Sequence, residues 1–131
     1  MLSRKQKEYF RKVLTQRRDE SLGKAQDALA HISDIRDRFS DEMDEASFAS
    51  DIGFSLRIRD REANLIRKIG DALGRLEDGT FGYCEECGDE IPHKRLEARP
   101  VATLCIQCKQ EQEAAEKVRA DREPRFGYWA P

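Results

Sequence analysis

Four cysteines stand in two pairs of equal spacing, Cys84-x2-Cys87 and Cys105-x2-Cys108, with seventeen residues between the pairs. Each pair forms a knuckle whose thiolates can reach one ion at about 2.3 Å, and two knuckles complete a tetrahedron. The spacing is that of a C-x2-C…C-x2-C zinc signature. Four thiolates leave no coordination position for water, so the ion is expected to be structural rather than catalytic. It would supply much of the folding energy of a segment with few apolar residues. Gly82 and Gly88 stand where knuckles need open backbone. The competing readings are a redox C-x-x-C pair or unrelated thiols. A thioredoxin-type motif requires strands alternating with helices, and no such alternation is visible. His93 and His31 read as surface histidines, because the cysteines already fill the shell.

Charge is the second chemical feature. Residues 40–51, SDEMDEASFASD, hold five acids (Asp41, Glu42, Asp44, Glu45, Asp51) and no base. The first 24 residues hold eight bases against three acids, and 57–75 adds Arg57, Arg59, Arg61, Arg67, Lys68 and Arg75 against three acids. Across 81–110, five acids face four bases (Lys94, Arg95, Arg99, Lys109), a net charge of −1. That is a poor surface for a phosphate backbone, which argues against the alternative of a DNA-binding zinc finger. The acidic segment suits a positively charged or metal-containing pocket reached through a narrow opening. Its bland reading is a solvated turn whose acids favour a helix N-terminus by about 0.3–1 kcal/mol.

Long helices must carry these groups. Ser3 with Gln6 three residues on makes a capping box. Behind it, Leu14, Arg18, Ser21, Ala25, Ala28, Ile32, Ile35 and Phe39 alternate steps of four and three, a coiled-coil seam. After the acidic segment a second seam runs through Leu56, Arg59, Ala63, Ile66, Ile69, Leu73 and Leu76, with one irregular step, and Gly79 is the natural stop. Two helices of about 30–36 residues joined by a turn give an antiparallel hairpin roughly 45–55 Å long. An intermolecular coil through the same seam is the alternative. Residues 109–122 read as a further charged helix, and the tail RFGYWAP is expected to fold back onto the rest. The expected class is mainly α: an antiparallel coiled-coil hairpin over 1–79 with its acidic tip at about 40–51, a four-cysteine zinc finger over 80–110, and a C-terminal helix with an aromatic tail over 111–131.

Composition agrees with this division. The chain has 131 residues, 38% charged and 38% hydrophobic, with Lys+Arg 24 against Asp+Glu 26. Such polarity leaves no membrane span, and the net charge of −2 gives no bulk attraction to nucleic acid or anionic lipid. All four prolines (Pro92, Pro100, Pro124, Pro131) follow residue 91, so the first two-thirds is free to be helical. No export signal opens the chain. A reducing cytoplasmic setting is therefore expected, where cysteines ligate metal more often than they pair. No catalytic constellation is visible, so the chain does not read as an enzyme.

The turn Asp41-x-x-Asp44-x-Ala46, the segment RDRE at 59–62, FGYCEECGDEI at 81–91 and KRLEARPVATLCIQCK at 94–109 resemble the DksA/TraR family of bacterial transcription factors. The resemblance runs from about Phe10 to Lys117. It implies direct binding to RNA polymerase rather than sequence-specific binding to DNA, with the coiled coil entering the secondary channel and the zinc part on the channel rim. It also implies modulation of initiation together with the alarmone guanosine tetraphosphate (ppGpp), in the stringent response. By this resemblance Asp41, Asp44 and Ala46 form the coiled-coil tip, and Lys68, Arg99 and Lys109 contact ppGpp. Arg61 meets the polymerase rim. Three dispersed bases would act on a tetraphosphate as charge-assisted donors. Asp44 would stand roughly 45 Å from the finger at 1.5 Å per helical residue. The chain is expected to act as a monomer.

Overall fold

The computed structural model describes residues 2–39 and 45–122. Four helices are found among them: α1 (Arg4–Phe39), α2 (Glu45–Asp78), α3 (His93–Ala98) and α4 (Ile106–Arg122). The chain divides into two compact units, Leu2–Phe81 and the part that begins at Gly82.

The first unit is α1 packed along α2. Its start is the predicted capping box: the Ser3 N–H donates to Gln6 Oε1 at 2.8 Å, and the Gln6 N–H donates to Ser3 Oγ at 3.2 Å. Two contacts fix the antiparallel arrangement. Phe10 near the start of α1 meets Phe81 beyond the end of α2, ring centroids 5.2 Å apart. Further along, His31 Nδ1 and Ser55 Oγ share a 2.9 Å hydrogen bond. The seam is intramolecular, which decides between hairpin and intermolecular coil for this packing.

The α1 seam is as expected. Leu14, Ser21, Ala28, Ile32 and Ile35 are buried, Arg18 and Ala25 half-buried, and Phe10 extends the seam one step towards the N-terminus. The side chain of Phe39 lies outside the described residues. In α2 the expected seam is only half right. Ile69 and Leu76 are buried and Ile66 and Leu73 half-buried, but Leu56, Arg59 and Ala63 are exposed. The buried positions there are Ser55 and Glu62, one residue earlier. Ser55, Glu62, Ile69 and Leu76 recur every seven residues without any irregular step. Apolar letters had drawn the pattern onto the neighbouring face.

Ser21, Ser55 and Glu62 therefore put polar groups inside a narrow apolar seam, each no more than 3% exposed. Ser55 is satisfied by His31. One heptad towards the base, the same register sets Lys24 across from Glu62, whose Oε2 is buried without a hydrogen-bond partner. Burying an unpaired carboxylate oxygen is unfavourable.

At the far end of α2 the Arg75 carbonyl accepts from the N–H groups of Gly79, Thr80 and Phe81 at 3.0, 3.0 and 3.1 Å. Gly79 takes φ +85°, the left-handed conformation that ends helices and favours glycine. Asp78 Oδ1 accepts from Thr80 Oγ1 at 2.6 Å and from the Thr80 N–H at 3.1 Å. Those bonds lower the Asp78 pKa. The turn they build delivers Phe81 to Phe10.

Replacing Glu62 by leucine removes the unpaired carboxylate and extends the apolar seam. Glu62→Leu is expected to raise stability by about 1–2 kcal/mol, read from the urea midpoint of the zinc-loaded chain. An unchanged or lowered midpoint would show that the carboxylate is satisfied in solution.

Candidate metal centre and cationic sites

The second unit is built around its cysteines. The Cys84 N–H donates to the Asp89 carbonyl at 2.8 Å and the Gly88 N–H to the Cys84 carbonyl at 3.0 Å, which curls 84–89 into the first knuckle. Gly88 sits at φ +78° and Gly82 at φ +89°. An isolated antiparallel bridge between Tyr83 and Glu90 closes the loop, with the Ile91 N–H on the Gly82 carbonyl at 2.7 Å. The second knuckle precedes and enters α4. Cys105 stands before Ile106, and Cys108 lies in the first turn of the helix, which starts earlier than the sequence pattern suggested. The Cys108 N–H points at Cys105 Sγ, 3.5 Å away.

Two links join the knuckles. The Glu85 N–H donates to the Thr103 carbonyl at 2.9 Å. Arg95 Nε donates to the Leu104 carbonyl at 3.0 Å. Arg95 lies on α3, a six-residue helix not anticipated from the sequence, whose Leu96 is buried with Ile91, Pro100 and Leu104.

All four Sγ atoms lie within 4.8 Å of one another, and Cys87 Sγ is 3.8 Å from Cys105 Sγ. A tetrahedron with bonds of about 2.3 Å to sulfur has edges of about 3.8 Å. The donor set and its spacing therefore fit one zinc ion. Electrostatics point the same way. The backbone N–H of Cys87 is the main influence lowering the Cys84 thiol to about 6, aided by those of Cys105 and Glu86. The Cys108 thiol is pushed up, first by its hydrogen bond with the Cys105 sulfur and then by burial. Four adjoining sulfurs cannot all ionise alone, whereas a divalent cation makes each a thiolate.

The cationic residues fall in both units. Arg61 and Lys68 are exposed on α2, seven residues apart and hence on one stripe roughly 10 Å apart. In the zinc unit, Arg99 follows α3 and lines an open concavity of about 410 Å³ with Pro92, Lys94, Arg95, Ala98 and Ile106. Lys109 is outside that lining, on α4, where its Nζ donates to Gln112 Oε1 at 3.3 Å. The concavity brings Arg99 together with Lys94 and Arg95, a grouping the sequence hinted at only through their closeness in the chain. His31 proves to be a hairpin contact, and His93 pairs with Glu97 on α3 at 2.9 Å. Ala46 is exposed in the first turn of α2. Asp41 and Asp44 lie outside the described residues, as does the tail 123–131.

A helical hairpin followed by a four-cysteine zinc finger defines the architecture, and comparison with known proteins identifies the family. Residues 6–76 match the N-terminal domain of DnaK suppressor protein DksA, and 79–114 the prokaryotic dksA/traR C4-type zinc finger. The chain belongs to the DksA/TraR family. It is 40% identical over 117 residues to the RNA polymerase-binding transcription factor DksA of Caulobacter vibrioides, covering 89% of this chain and 82% of that protein. Against the protein of the same name in Escherichia coli K12 the identity is 43% over 112 residues, covering 86% and 74%. The structure of transcription factor DksA2 from Pseudomonas aeruginosa superposes with a TM-score of 0.80 at 38% identity, covering 88% of each chain.

Because zinc holds the knuckles while the hairpin has its own seam, the two units should respond differently to chelation. A strong chelator under reducing conditions is expected to release one zinc per chain and to unlock amide exchange across 82–104. Protection in the middle of α1 and α2 should persist. Loss of protection in both units together would show that the hairpin needs the metal.

Proposed function

We propose that this chain regulates transcription by binding RNA polymerase directly, entering the secondary channel hairpin-first, and that it acts together with ppGpp. The observation that carries this reading is chain-long similarity, across both units, to relatives named RNA polymerase-binding transcription factors. The acting form is a single chain in the cytoplasm. No described helix is long and apolar enough to cross a membrane.

Physical roles follow for the residues. A hairpin of helices 36 and 34 residues long is a probe roughly 50 Å in reach, enough to carry acids far into a channel. Asp41 and Asp44, with Ala46 beside them, act at the inner end, where carboxylates meet bound metal or basic side chains. Arg61 holds the rod against the rim. Lys68, Arg99 and Lys109 serve as charge-assisted donors to the alarmone's phosphates, each such bond worth about 1.5–3 kcal/mol. Zinc keeps Arg99 and Lys109 on a fixed scaffold and takes part in no reaction.

The test is transcription in vitro from a ribosomal RNA promoter with the cognate polymerase, with and without ppGpp. The wild-type chain should lower promoter output, more so with ppGpp. Asp44→Asn should keep polymerase binding and lose the effect on output. Lys68→Ala or Lys109→Ala should act alone as wild type does and lose most of the ppGpp enhancement. Unchanged output with Asp44→Asn would remove the tip from the mechanism. No complex with the polymerase would remove the reading altogether.

A further inference from the structure

Of the three donors proposed for the alarmone, Lys68 and Lys109 stand on helices of 34 and 17 residues. Arg99 has no such support. It caps the C-terminus of α3, whose six residues are too few to hold a helix by themselves. A long-range bond from within α3 supplies the hold. Arg95 Nε donates to the Leu104 carbonyl at 3.0 Å, nine residues along the chain and half-buried. Leu104 is joined directly to Cys105 of the metal centre. The Arg95 carbonyl accepts from the Arg99 N–H at 2.8 Å, and the Arg99 carbonyl accepts from the Ala102 N–H at 3.0 Å. A continuous line of bonds therefore runs from Cys105 through Leu104 and Arg95 to the backbone of Arg99. On its other side the Cys105 carbonyl accepts from the Lys109 N–H at 2.9 Å, so both cations of this unit are anchored on one cysteine.

We propose that Arg95 is a positioning residue, which fixes the backbone that presents Arg99 and ties that donor to the metal centre without touching the alarmone. The proposal rests on the reading that Arg99 donates to ppGpp. Lys94 and Arg99 are exposed on the concavity, whereas Arg95 is half-buried with its Nε already engaged. One cation of the three is thus an anchor, and two remain to meet an anion. A donor held in place before binding loses less freedom when its ligand arrives, and this is what the anchor contributes. The residue type suits the task. Arginine carries a donor at Nε, part-way along the side chain, and lysine has none there. Without that donor the Leu104 carbonyl would lose its partner, and the turn that holds Arg99 would loosen.

Two substitutions separate positioning from contact. In Arg95→Gln the amide Nε2 lies as many bonds from the backbone as arginine Nε, so the donor stays and the charge goes. In Arg95→Met the length stays and both are lost. In the full, zinc-loaded chain, amide exchange at Arg99 and Ala102 should be about tenfold faster in Arg95→Met and near the wild-type rate in Arg95→Gln. Both variants should hold zinc as the wild type does. In transcription with the cognate polymerase, the ppGpp concentration giving half the enhancement should rise about tenfold in Arg95→Met and stay near wild type in Arg95→Gln. Equal defects in the two variants would show that Arg95 acts as a charged contact, and would overturn the proposal. So would wild-type exchange at Arg99 in Arg95→Met, or loss of zinc from that variant, which would make the bond purely structural. Arg99→Ala tests the underlying reading. A full ppGpp response there removes Arg99 from the alarmone site and the proposal with it. A lost response there, with a normal one in Arg95→Met, overturns the proposal alone.

Discussion

Two helices can bury only one stripe of each other, and this limit governs the hairpin. Its stability rests on one line of contacts, from Phe10 and Leu14 at the base through Ile69, Leu76 and Phe81 to Ile32 and Ile35 further out. Among the described residues of this unit, α1 and α2 are its only helices. Each remaining face of α1 and α2 must then be soluble, charged or partnered, and different chemistries occupy different faces. The zinc unit answers the same shortage differently. Ile91, Leu96, Pro100 and Leu104 make too small a core for independent folding, and a metal ion stands in for the missing apolar area.

Within so narrow a seam, polar residues carry unusual weight. Ser21, Ser55 and Glu62 occupy places where leucine would be favourable. A polar group at a seam position is best satisfied in one register, because a slip along the helix strands it without a partner. The His31–Ser55 bond acts in this way, joining a g-type position of α1 to the seam of α2. Glu62, one heptad away, has no such partner at its buried Oε2. The hairpin thus gives up some stability in its middle third while keeping its two helices aligned, so that residues far apart in sequence hold a fixed spacing along it.

These particulars set what could be read from the sequence. The cysteine spacing was sufficient for the metal centre, because a knuckle is a local object fixed by two residues and a turn. The α1 seam was legible because its apolar letters are its buried residues. The α2 seam was not, since Leu56 and Ala63 look like core and Ser55 and Glu62 do not. Only the exact seven-residue recurrence of Ser55, Glu62, Ile69 and Leu76 carried the correct answer. α3 is too short for periodicity to register, and its role comes from a long-range bond, Arg95 to Leu104, that no local pattern contains. Lys68, Arg99 and Lys109 have no signature of their own. They were found through resemblance, because donors to a phosphate need charge and reach rather than a spacing.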